Sequence, residues 1–192
     1  MRALAALLAL CLTCSAAPAG TLRIATFNTE LSRKGPGLLL RDIRRETDEV
    51  SKVVETIVSN APDILVLQST DYDAQGTAAR ALSDLIASDG LDLLYAFMPQ
   101  TNTGIPTGID IDGDGRINAP RDAQGYGRYP GQASIAILSR YPIAKDDALN
   151  FTDVLWKDAA PDTDLTLLIP EEAIGLQRLA SVSLAAIPID HP

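Results

Sequence analysis

The chain has two cysteines, Cys11 and Cys14, and none after them, so the body of the protein has no disulfide and no thiol chemistry available to it. Its single histidine is His191, next to last. No apolar run reaches the ~20 residues that crossing a bilayer takes, which excludes a membrane span. Basic charge is scarce: 16 Lys and Arg stand against 25 Asp and Glu, a formal net charge of −9. A surface that acidic repels phosphate backbones unless metal ions or a local basic groove intervene, which excludes sequence-independent nucleic-acid binding by charge alone. There is no internal repeat and no domain linker, and nothing in the sequence specifies an oligomer.

What is present begins with an export signal. Met1-Arg2, the apolar stretch from Ala3 to Leu12 and the small residues ending Ala17-Pro18-Ala19 make a removable secretory signal over residues 1–19. Neither cysteine has the small residue before it that a lipoprotein signal wants. The expected location is the periplasm or the extracellular space. Cleavage removes one base and no acid, leaving residues 20–192 more acidic than the whole chain and of a length that suits one domain. An exported domain without disulfides depends on its core and on any ions it binds.

Residues 21–28 alternate apolar and polar and predict a buried strand ending at Asn28. Val50, Val53, Val54, Ile57 and Val58 recur at helical spacing until Asn60-Ala61-Pro62 stops the pattern. The run Ile64–Leu67 reads as a strand buried on both faces. A second amphipathic helix carries Ala78, Ala79, Leu82, Leu85 and Ile86, and Leu94–Met98 reads as another strand. Strand, helix, strand, helix, strand is the order of an α/β layered domain. From Pro99 to Gly131 the chain is rich in Gly, Pro, Asp, Asn and Thr, and so long a loop in a compact domain is usually functional or ordered by an ion. Residues 133–138 are strand-like again. Val154–Trp156 and Leu165–Ile169 are apolar without clear periodicity, and residues 176–189 suggest a last strand before a turn at Asp190-His191-Pro192.

Inside the long loop, Asp110, Asp112, Asp114 and Gly115 match the first half of an EF-hand Ca2+ loop, with carboxylates at alternate positions before a sharp backbone turn. Three aspartates this close repel one another without a cation. The second half departs from the pattern, because position twelve is Arg121 instead of a bidentate glutamate. Asp122, one residue later, would close the site in a different loop geometry. The candidate calcium loop therefore comprises Asp110, Asp112, Asp114, Arg116, Asn118 and Asp122.

Three further segments stand out: Phe27-Asn28-Thr29-Glu30 at the end of the first strand, Asp63 through Gln68-Ser69 at the second, and Ala133 through Ser139-Arg140-Tyr141-Pro142-Ile143. With these the chain resembles the endonuclease/exonuclease/phosphatase superfamily, the metal-dependent phosphoesterases related to pancreatic deoxyribonuclease, abasic-site endonucleases and bacterial sphingomyelinases. The third segment is a long, nearly literal match, and the three together cover residues 21–143. The resemblance implies an α/β (α+β) fold of the deoxyribonuclease I-like type, a four-layer αββα sandwich. It also implies a Mg2+ ion at one end polarising a phosphoryl oxygen, and a histidine held by an aspartate to activate water. Carried over by position, Asn28 orients the metal or the phosphate and Glu30 lies close to the metal.

The family's main metal-binding glutamate falls at Ser69, whose hydroxyl is a poor substitute for a carboxylate on Mg2+. If the strand runs on, Asp71 points to the same face as Ser69 and reaches the metal from further along. Otherwise Asp71 and Asp73 are polar loop residues. The family's Gly-Asp-x-Asn segment is missing and Asp190-His191 arrives before the strands that should precede a terminal pair, so the domain is expected to be an incomplete form of the sandwich, exposing sheet surface. Two functions follow as expectations. One is an exported metal-dependent phosphoesterase-like protein, inactive or incomplete as it stands, facing small phosphoesters, phospholipid head groups or nucleic acid, with the acidic balance tilting against the last. The other is a non-catalytic, calcium-stabilised module on the same scaffold.

Overall fold

The computed structural model describes residues 21–179 and 183–186. The signal segment and Asp190-His191 lie outside the described residues.

The first strand, β1 (Ile24–Asn28), leads through a loop to helix α1 (Leu38–Arg44) and helix α2 (Asp48–Asn60). Four apolar residues of α2, Val50, Val53, Val54 and Ile57, are buried along one face, and Asp48 and Glu49 sit in its first turn, where the helix dipole favours acids. Ala61 closes α2 in the left-handed region at φ 44, and Pro62 follows. Strand β2 (Ile64–Thr70) runs parallel to β1, and after it comes helix α3 (Thr77–Ser88). Both oxygens of Asp73 serve the start of α3, accepting from the Thr77 and Ala78 N–H groups at 2.7 and 2.8 Å. Strands β3 (Tyr95–Phe97) and β4 (Ser134–Ser139) complete a sheet of order β1-β2-β4-β3.

Strand β4 is antiparallel to both β2 and β3, so β1, β2 and β3 all run one way. Their carboxyl ends share one end of the sheet, and the long loop leaves β3 and returns to β4 at that same end. Phe27, Leu65, Leu67, Ala136 and Leu138 pack with the buried faces of the three helices into one core. Each fully buried leucine there contributes roughly 1.5–3 kcal/mol. On the opposite face Thr26, Val66, Gln68, Ile135 and Ile137 are exposed or half-buried, while Ile64 and Ser139 are buried.

Two expectations need correction. The first strand is not buried: among the described residues it is an edge strand, and Ile24 is 64% exposed. The stretch 176–189 is not one strand. Arg178 makes an isolated bridge to Leu155, and the last strand described, β6, covers only Ser183–Ala186. Strand β6 pairs antiparallel with β5 (Ala144–Asn150) as a separate two-stranded ribbon. Short helices α4 (Trp156–Ala159) and α5 (Glu171–Ile174) lie between them, with a 3-10 turn at Leu165–Leu167. Helix α1 and strand β5 carry no periodic signal: α1 is two turns around Leu38-Leu39-Leu40, and β5 is mostly exposed and polar.

The long loop is ordered by its own backbone. Gly104 donates to the Gly125 carbonyl at 2.8 Å, and Gly131 donates to the Thr103 carbonyl at 2.8 Å. The crossing is tight: a Cβ on Gly104, at φ +71, would lie 1.9 Å from the Tyr129 carbonyl oxygen.

Candidate functional site

Two acidic neighbourhoods lie at or beyond the carboxyl end of the sheet. In the first, Asn28 is exposed opposite Gln68, and its Oδ1 accepts a long bond, 3.4 Å, from the Glu30 N–H. Glu30 is exposed in the left-handed region at φ 52. Thr29 between them is buried and bonds the Gln68 carbonyl through both its N–H and its hydroxyl, at 3.2 and 3.0 Å. This fixes the turn that carries Asn28 and Glu30 against β2.

Strand β2 does not run on in regular alternation through Asp71. Ser69 adopts φ 55 at a register shift between Gln68 and Thr70, a bulge that re-aims the residues after it. Asp71, 4% exposed, turns inward. Its Oδ2 accepts from the Arg33 N–H at 2.8 Å and its Oδ1 from the Ala133 N–H at 3.1 Å. One carboxylate thus joins the loop after β1, the end of β2 and the start of β4.

Arg33 continues the network, with Nε on Asp42 at 2.8 Å and Nη2 on Glu49 at 2.9 Å. Its carbonyl accepts from the Gln132 side chain at 2.8 Å and the Tyr129 hydroxyl at 3.3 Å. The guanidinium of Arg33, and then that of Arg41, hold the Asp42 carboxyl below the usual aspartate range. Burial, reinforced by the Asp71 carboxylate, pushes the Tyr129 phenol well above its ordinary value. Tyr129 therefore stays neutral and donates.

Asn28, Glu30 and Ser69 offer an amide, one carboxylate and a hydroxyl, while both oxygens of Asp71 already accept backbone N–H bonds. A Mg2+ ion there would have the Glu30 carboxylate and the Asn28 amide as its side-chain donors and would keep several waters, with the neutral Ser69 hydroxyl where a second carboxylate would strengthen the site.

The second neighbourhood is the long loop. Asp110 gathers the turn that follows it, accepting from the Gly113 and Asp114 N–H groups through Oδ1 at 2.8 and 3.1 Å and from Gly115 through Oδ2 at 2.8 Å. Gly113, Gly115 and Asn118 supply the left-handed residues of that turn. Asp122, fully buried, accepts from the Ile111 and Ala119 N–H groups at 2.9 Å each. Asp110, Asp112 and Asp122 present carboxylate oxygens within 4.8 Å of one another, the one such group among the described residues. The donor chemistry fits a hard cation. Of the residues the loop pattern nominated, the structure brings these three together. Asp114 stands outside the group, its Oδ1 accepting from the Arg116 N–H at 2.8 Å. Arg121 reaches back to Asp112 at 3.9 Å as an exposed pair.

The mixed sheet with its helix layer and the segments Asn28–Glu30, Gln68–Ser69 and Ser134–Ile143 define a class. The chain belongs to the Endonuclease/Exonuclease/phosphatase family, whose family model matches residues 25–186. Among solved structures it is similar to the crystal structure of endonuclease/exonuclease/phosphatase from Beutenbergia cavernae DSM 12333, with 17% identity and a TM-score of 0.45. That match covers 89% of this chain and 34% of the other, so the chain spans about a third of that protein's length. No curated protein matches the chain.

Sequence reasoning did not single out Arg33, Tyr129 and Gln132, which hold the sheet end. Their partners are largely backbone groups, and such bonds leave no pattern in residue type or spacing.

Proposed function

We propose that the chain is an exported phosphoesterase-family protein in which calcium, held by Asp110, Asp112 and Asp122, orders the long loop, while the sheet end does not sustain metal-dependent hydrolysis by this chain. The observation that carries the first half is the convergence of those three carboxylates. The second half is supported by Ser69, a neutral residue on the bulge after Gln68 where the family's metal-binding glutamate falls. The four-layer sandwich is part of the same reading, since the described residues form one helix layer, one four-stranded sheet and a two-stranded ribbon. The acidic balance favours a small phosphoester or a phospholipid head group over nucleic acid as the ligand such a scaffold meets.

When bound, calcium would offset the mutual repulsion of the three carboxylates. Asp110 and Asp122 hold the turn through backbone N–H groups, and Asp112 completes the donor set.

Calorimetric titration with Ca2+ and with Mg2+, run on the chain and on Asp112→Ala and Glu30→Ala variants, tests this. Calcium heat lost in Asp112→Ala and kept in Glu30→Ala, with no hydrolysis of bis(p-nitrophenyl) phosphate in Mg2+, is the expected result. Magnesium binding that depends on Glu30 together with hydrolysis would overturn the non-catalytic part. Calcium binding unchanged in Asp112→Ala would overturn the calcium part. Recovery of the chain from the periplasm or medium, shortened at its start, tests export.

A further inference from the structure

Beside the acidic loop, the long loop and the segment after β5 enclose a cavity of about 330 Å3 whose lining includes Ile111, Tyr126, Trp156, Leu165, Leu168 and Ile169. Amide contacts frame it. The Gln124 side chain donates to the Leu176 carbonyl at 2.9 Å and accepts from the Arg178 N–H at 2.6 Å, and the Trp156 N–H donates to the Gln177 carbonyl at 3.0 Å. The mouth is apolar and open: Tyr126 is 62% exposed, Leu168 65%, and Leu167 beside it 81%. Several large apolar side chains exposed together around a formed cavity are the signature of an interaction site, unlike one stray leucine.

The chain around the lining is acidic on balance. Asp158, Asp162, Asp164, Glu171 and Glu172 are all exposed within three residues of lining positions. Of the bases as near in sequence, Lys157 is paired with Asp158 at 2.7 Å, Arg178 with Asp153 at 2.8 Å and the lining residue Arg121 with Asp112 at 3.9 Å, which leaves Arg128. Gln177, also on the lining, commits its Nε2 to the Gln124 carbonyl and keeps a buried Oε1 with no donor among the described residues. An apolar centre with an acidic balance around it is complementary to one kind of occupant.

We infer that this cavity docks a polypeptide segment whose apolar anchor is flanked by lysines or arginines. The anchor fills the cavity against Trp156 and Leu168, and the flanking cations meet the surrounding acids. The same acids oppose an anionic lipid surface.

Trp156 is the chain's one tryptophan, so its fluorescence reports this surface directly. The probe is the tryptophan-free peptide Lys-Lys-Leu-Phe-Leu-Lys-Lys, titrated into the full chain beside Glu-Glu-Leu-Phe-Leu-Glu-Glu and phosphatidylcholine vesicles. A saturable blue shift with the basic peptide is expected, at least about 10-fold weaker with the acidic one and weakened by salt, as charge steering requires. Leu168→Asp, at an exposed position, abolishes the shift while melting as the parent does. Glu171→Lys with Glu172→Lys weakens it and keeps the apolar centre. Equal response to both peptides, no response to either, response only to vesicles, or full response in a folded Leu168→Asp variant would each overturn the inference.

Discussion

Asp71 and Asp122 are both buried aspartates that accept two backbone N–H bonds, yet they stand in different company. Asp71 accepts from the Ala133 and Arg33 N–H groups, and its charge is met by backbone dipoles and the neutral Tyr129 phenol, while Asp42 and Glu49 pair with the Arg33 guanidinium. Asp122 shares its space with Asp110 and Asp112, and the three carboxylates converge without a buried cationic side chain between them. A lone buried carboxylate can be satisfied by N–H groups, whereas three crowded ones gain from a cation. At the sheet end the contacts of Asp71 hold chain segments together, whereas the loop brings three carboxylates within 4.8 Å of one another.

The largest effect is expected from Asp71→Ala. It leaves the Arg33 and Ala133 N–H groups without their acceptor and costs about 3 kcal/mol in urea unfolding. A loss below about 0.5 kcal/mol, the range of neutral surface changes, would erase the distinction drawn for the sheet end. Asp122→Asn comes next. It keeps one acceptor oxygen, costs about 1–2 kcal/mol without metal, and removes the stabilisation that added calcium gives the parent, read as a melting temperature that no longer rises with Ca2+.

Asp42→Asn sharpens the comparison by pH. The folded carboxyl of Asp42 is depressed by Arg33 and Arg41. Its contribution is therefore complete above the unfolded aspartate value near about 3.9 and is lost as pH falls through the lower folded value. The variant should be less stable by about 1–2 kcal/mol at pH 7 and converge on the parent in acid, as urea melts at several pH values would show. The smallest effect is expected from Asp114→Ala, which stands outside the converging group: under about 0.5 kcal/mol without metal, as for most surface changes, and calcium affinity kept within a few-fold. A calcium signal lost in Asp114→Ala would mean that the loop binds in the regular EF-hand manner.

Much of the sheet and its helices was legible because burial imposes a period. Val50, Val53, Val54 and Ile57 mark α2 by spacing, and Ile64–Leu67 marks β2 by a continuous apolar run. Strand β5 was not legible, since Lys145, Asp146 and Asp147 face solvent and leave no alternation. At the sheet end the reading of Asp71 rested on regular alternation, and the bulge at Ser69 breaks that premise. In the loop, the departure at Arg121 directs attention to Asp122, and its carboxylate lies within 4.8 Å of those of Asp110 and Asp112, a group that does not include Asp114.

Gly104 carries a consequence for how this protein tolerates change. Its missing side chain lets the two arms of the long loop cross at the Tyr129 carbonyl, with Gly127 pressed against the same spot. The turn at Gly113 and Gly115 instead opens onto free space. A saturation library should thus show a sharp contrast within one loop. Positions 104 and 127 should reject almost every replacement, whereas side-chain size at 113 and 115 should be limited only by backbone conformation. Added side-chain volume has room at the tip of this loop and very little at its neck.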